Sequence, residues 1–162
     1  MSAHYEFERK MIKDSVLGVL YDHMKMIQIM FIRIIKKILS QQGGGKQYKG
    51  APTRSSAPWE APATQTGTLR GSWGIMTPIS KTRDGLSSWM EQKINFSPSG
   101  SSPIKYGMYL EYGTKHMRPR PHVKPAIEET QNWSDRNLYL IEKQISRTLE
   151  RLLIDGHMDP HG

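Results

Sequence analysis

Glu111, His116 and His122 come nearest, by residue type and spacing, to a catalytic set in this chain. Two histidines and a carboxylate can hold a divalent metal, or act as a general-base pair, provided the three side chains converge. Here they lie along "EYGTKHMRPRPH", where each residue before a proline is pushed toward extended or polyproline geometry. Such a segment sends His116 and His122 out at unrelated angles. No metal, cofactor or catalytic residue is therefore expected. His157 and His161 sit in a Gly/Pro tail and offer no better set. The chain has no cysteine, which removes disulfides, zinc-thiolate sites and cysteine nucleophiles together.

The remaining chemistry is electrostatic. Lys115, Arg118, Arg120 and Lys124, with His116 and His122 between them, form the densest basic patch. Arg70 offers a planar fork suited to a bidentate carboxylate, and Glu111 is a natural partner, within one subunit or between two. The net charge of +8 is unevenly spread. Residues 1–40 hold seven Lys/Arg against four acids, residues 41–126 twelve against four, and residues 127–162 four against seven. A basic middle argues for a polyanionic neighbour or for acids on another protein, not for a fold.

The elements that must position these residues begin with one long helix, residues 1–40. Val16, Val19, Leu20, His23, Ile27, Met30, Ile34 and Ile38 recur at three-to-four spacing. From Met26 to Ile35 the apolar face widens so far that burial is expected on two sides, one by another subunit. The run Val16–Leu39 is interrupted by Asp22, His23, Lys25, Arg33, Lys36 and Lys37. Burying such charges in a bilayer costs about 2.5–3.5 kcal/mol each, so a membrane span is rejected. No signal-peptide cleavage pattern is expected either.

Residues 41–65 read as a Gly/Pro-rich arm or loop, with Tyr48 and Trp59 as unusual rings for a plain linker. Residues 66–154 read as an α+β core. Thr66 is the expected N-cap of a short turn of helix. Strands are expected at Ser72–Ile79 and Ser87–Phe96, across a turn at Lys81–Gly85, and at Lys105–Tyr112, where Tyr106, Met108, Leu110 and Tyr112 alternate with the rest. Pro125 is placed to start a last helix striped by Ile127, Leu138, Ile141, Ile145, Leu149 and Leu152. Asn132–Asp135 is a candidate interruption, and residues 155–162 a flexible tail. The expected fold is one α+β domain: a long N-terminal helix, a small antiparallel sheet of three to four strands, and a C-terminal helix packed on it.

"RSSAPWEAPATQTGTLRGSW" followed by "YGMYLEYGTKHMRPRPHVKPA" resembles the head–tail connector, or tail-completion, family of tailed-bacteriophage neck proteins. The matching positions are Ala61, Pro62, Thr66, Gly67, Leu69, Arg70 and Ser72; then Tyr106, Glu111, Gly113 and Thr114; then Arg120, Pro121, Pro125 and Ala126. Gly107, Trp73 and the very apolar first helix depart from the pattern. The resemblance implies a subunit of a cyclic six- or twelvefold ring between portal or adaptor proteins and the tail tube or terminator. The genome would pass through its lumen, without catalysis. It also implies a virion location, after synthesis in the host bacterial cytoplasm.

On that reading Gly67 and Gly113 let the chain reverse tightly where subunits meet. Thr114 fixes its turn by bonding its own backbone, and Pro119 and Pro121 set the angle at which the last helix leaves. The basic patch then faces either DNA in the lumen or acids on the next ring. The alternatives are a tail terminator ring, the equivalent part of a contractile injection system, or, outside the family, a basic nucleic-acid-binding protein. A sequence-reading regulator is disfavoured, because the positive charge lies on loops rather than on a recognition helix.

Overall fold

The computed structural model describes residues 3–64, 67–74, 79–82, 85–87 and 106–155. Its elements are α1 (Ala3–Ile38), α2 (Thr68–Gly71), β1 (Ser80–Thr82), β2 (Gly85–Ser87), α3 (Tyr106–Tyr112) and α4 (Val123–Asp155). The chain divides into two units. One comprises Met1–Ile27, Ile79–Trp89 and Trp133–Gly162; the other comprises Gln28–Pro78 and Met90–Asn132.

The expected sheet is the main correction. Among the described residues the only strands are β1 and β2, three residues each, paired antiparallel as Ser80↔Ser87, Lys81↔Leu86 and Thr82↔Gly85. Lys105–Tyr112, read as a strand, is instead helical from Tyr106. The period was ambiguous over so short a run, because tyrosines fall on both alternating sets. The helix uses a three-residue period, burying Gly107 and Leu110 and leaving Met108, Tyr109 and Tyr112 exposed. Of the other expected strands, Ser72 caps α2, and most of Ser72–Ile79 and Ser87–Phe96 lies outside the described residues.

The C-terminal helix therefore packs on helix rather than on sheet. In the second unit the core gathers Phe31, Ile34, Ile35, Ile38 and Leu39 from the end of α1 with Trp73 and Ala126. Phe31 and Trp73 meet edge to face at 5.7 Å. Leu69 and Val123 cover this cluster from α2 and the first turn of α4. In the first unit His23 stacks on Trp133 at 6.3 Å and lies 3.4 Å from Ser134 Oγ. Ile141 is the buried member of the α4 stripe; Leu138 stands out in solvent. Among the described residues no helix is long and apolar enough to cross a membrane.

α1 stops where glycine lets another segment come close. A Cβ on Gly43 would lie 2.1 Å from Ser55 O, so no larger residue fits there. The loop that follows is irregular but closed on itself. Gly45 N–H donates to Ser55 O at 2.8 Å, Ser55 N–H to Lys46 O at 3.0 Å, and Thr53 Oγ1 to Thr64 O at 2.7 Å. Thr64 Oγ1 ties the loop's far end back to Leu39 O.

Candidate functional site

Glu111 and His122 do come together, at the joint between α3 and α4. α3 ends at Tyr112, and Gly113 turns the chain with φ 78°. A Cβ there would lie 2.7 Å from Met117 O and 2.9 Å from Pro119 N, so glycine is required twice over, by angle and by space. Thr114 and Met117 then exchange backbone hydrogen bonds, and Thr114 Oγ1 accepts from the N–H groups of His116 and Met117. The expected turn-fixing role of Thr114 is what the geometry shows. Beyond it, Arg120 N–H returns to Leu110 O at 2.7 Å, and Pro119 O accepts from Trp59 N–H at 2.9 Å.

The joint closes on one carboxylate. Glu111 Oε2 accepts from the backbone N–H of His122 at 2.7 Å and of Val123 at 2.9 Å, while Oε1 accepts from Lys124 N–H at 3.0 Å. These are N–H groups that open α4 and find no partner within it. A carboxylate delivered from α3 thus caps α4 and faces its positive end. His122 Nδ1 lies 3.0 Å from Glu111 Oε2, and its ring is fully buried, 6.4 Å edge to face from Trp73.

Burial pushes the His122 imidazole below its ordinary value, outweighing the upward pull of Glu111 and of the Arg120 carbonyl. The ring is therefore neutral near pH 7 and donates Nδ1–H to Glu111. Burial pushes Glu111 upward, but the His122, Val123 and Lys124 N–H groups, with His122, hold it below the usual carboxylate range. Three buried nitrogens, Trp73 Nε1, Arg120 Nε and His122 Nε2, have no hydrogen-bond partner among the described residues.

A second anchor sits in the loop. Ala57, Pro58, Trp59 and Glu60 form a β-turn closed by Glu60 N–H to Ala57 O at 3.2 Å. Pro58 takes the second position and Trp59 the third, with φ 71°. That is the type II pattern, whose third position favours glycine. Glu60 Oε2 accepts from Ala57 N–H at 2.7 Å and Gly44 N–H at 2.8 Å. Those two bonds hold its carboxyl below the ordinary range.

The remaining expected site residues fall as follows. Thr66 lies outside the described residues, and Gly67, with φ 75°, occupies the N-cap position of α2 without a side-chain cap. Leu69 packs on the core. Arg70 does not meet Glu111; its Nη1 bonds Ser40 Oγ at 3.2 Å, because Glu111 is spent on α4. Tyr106 is the first residue of α3, Pro121 precedes the capped N-terminus, and Pro125 is the third residue of α4 rather than its first. It still lies in the turn where a missing N–H costs nothing. Lys115, Arg118 and Lys124 are exposed and Arg120 is half-buried. Among the described residues no group of three His, Asp or Glu is arranged to hold a metal. Sequence reasoning missed the burial of His122 and the Trp59 turn. "APWE" carried a signal for a turn, since Pro is favoured at the second position of type I and type II turns, but not for the left-handed geometry of Trp59. No protein-family model, no curated protein and no solved structure matches the chain.

Proposed function

We propose that this chain is a structural virion protein of a tailed-phage neck, a ring subunit that joins the DNA-filled head to the tail tube and lets the genome pass. One observation carries the reading: the three segments of the resemblance are built into a single joint. Trp73, the last residue of the first segment, packs edge to face on His122. Glu111 of the second caps the helix that the third begins. Ala126 of the third is fully buried in the core. Residues shared out in this way support a mechanical role, in which a rigid corner presents fixed surfaces to neighbours.

Glu111 holds backbone N–H groups, while Lys115, Arg118 and Lys124 are exposed. Lys115 and Arg118 project from a turn pinned at both ends, which suits sliding contact with phosphates of any sequence. Portal or adaptor proteins above and tail tube or terminator proteins below are the partners on this reading.

The test is imaging and mass measurement of the pure protein, alone and with portal or tail tube. Closed rings are expected on at least one template. Failure to bind either template, together with normal infectious particles from a virus lacking the chain, would end the proposal.

A further inference from the structure

We propose that Trp59 and the neighbouring basic segment form a binding site for single-stranded nucleic acid, in which the indole stacks on an unpaired base while Lys115 and Arg118 hold phosphates. Three observations lead there independently. The first is backbone strain. Trp59 stands at the turn position that favours glycine, in left-handed geometry, yet the residue is 64 % exposed. A large side chain held in a costly conformation and not used for packing marks a functional position.

The second is placement. Trp59 N–H bonds Pro119 O, which fixes the backbone carrying the indole alongside Arg118–Arg120. Arg120 N–H bonds Leu110 O, which joins the same segment to α3, whose last residue, Tyr112, is 76 % exposed. Exposed rings are thus tied by backbone hydrogen bonds to the densest basic stretch of the chain.

The third is charge. Residues 41–126 contain only four acids, Glu60, Asp84, Glu91 and Glu111. Glu60 and Glu111 stay ionised, and both aim their carboxylates at backbone N–H groups rather than at Lys115 or Arg118. Lys115 and Arg118 stand exposed on the pinned turn, and with Arg120 and Lys124 the cations of this stretch outnumber Glu60 and Glu111, so the local field is positive. A polyanion complements that field, and an exposed ring selects one whose bases are free. Duplex DNA keeps its bases stacked inside and offers the indole nothing. The site is not required by the neck reading and stands or falls separately from it.

The experiment is fluorescence anisotropy of the full chain with a labelled oligothymidylate, and with a duplex of equal length, across a salt series. Trp59→Gly is the decisive variant, because glycine suits the turn and preserves the fold. It is expected to weaken oligothymidylate binding about tenfold, within the range for one base–aromatic stack, and to leave the salt slope unchanged. Trp59→Phe is expected to retain most of the affinity. The Lys115→Ala, Arg118→Ala double variant is expected to flatten the salt slope on both ligands. Single strands binding no more tightly than duplex, or Trp59→Gly binding like the original chain, would overturn the proposal. So would the absence of nucleic-acid binding, which would leave the rings to a protein partner.

Discussion

Gly113 and Gly50 share a backbone angle but not a fate. Both have positive φ, 78° and 83°, yet a Cβ on Gly50 meets nothing within 4 Å whereas one on Gly113 meets fixed backbone. Gly50→Ala is expected to cost about 1 kcal/mol, the left-handed penalty alone. Gly113→Ala should cost at least about 3 kcal/mol or prevent folding, and urea unfolding of the two variants side by side checks the difference. Glu111→Gln keeps the side chain's size but removes the charge that faces three N–H groups and a helix end. A loss of about 2 kcal/mol is expected, read in the same way. The pair also sets a pH dependence. His122 is held below its ordinary 6.5, so as pH falls the unfolded chain takes that proton first. The stability attached to His122 is therefore complete above about 6.5 and is lost as pH falls from there through the folded value. Glu111, held below 4.5, contributes stability above that point, lost as pH falls through its own folded value. Both losses run the same way, so the urea midpoint should drop steadily on acidification from pH 7 to pH 4. His122→Gln should flatten the upper part of that drop and Glu111→Gln the lower part. A flat profile in the unaltered chain would contradict the buried neutral ring.

Among the elements, the turn at residues 57–60 gives the cleanest prediction. Replacing Trp59 by Gly removes a left-handed non-glycine residue from a turn that favours glycine, and should stabilise the chain by about 1 kcal/mol. With a chain of this size that is a rise in Tm of roughly 2–4 °C by calorimetry. A fall instead would show that the exposed indole packs on something that matters. α4 shows how an element can override a local signal. Asn132–Asp135 reads as a break, yet the helix runs through it. The polar residues around it bond back along the helix: Thr130 Oγ1 to Ala126 O at 2.7 Å, and Asn137 Nδ2 to Trp133 O at 2.6 Å. Such side chains compete with helix only when they find other backbone to bind. The long helices α1 and α4 were legible because a stripe of many residues leaves little doubt about period. α3 was not legible, because seven residues with apolar groups on both alternating sets fit a strand as well as a helix.

Over the whole molecule, apolar surface left in solvent is the feature that asks for partners. Leu138, Tyr139 and Leu140 are consecutive and all exposed, so α4 shows most of its circumference to solvent there. The sequence had placed the excess apolar surface on α1 around Met26–Ile35 instead. In the structure Phe31, Ile34 and Ile35 are buried within the chain's own core, while Met26 stays exposed. If this surface is where neighbouring copies or partners sit, Leu138→Glu with Leu140→Glu should leave the circular dichroism unchanged and abolish assembly in sedimentation velocity. Unchanged assembly would move the contact elsewhere.

The sequence by itself determined the two long helices, the glycine angles at 67 and 113 and the positive middle of the chain. Each depends on local backbone preference or on a sum of charges, which neighbours do not alter. Only the tertiary structure decided that Glu111 caps α4 rather than pairing with Arg70, that His122 is buried and neutral, and that the Trp59 backbone bonds Pro119. Those outcomes depend on which distant backbone N–H groups a carboxylate or a turn reaches once the chain has folded, and no spacing along the chain encodes that distance.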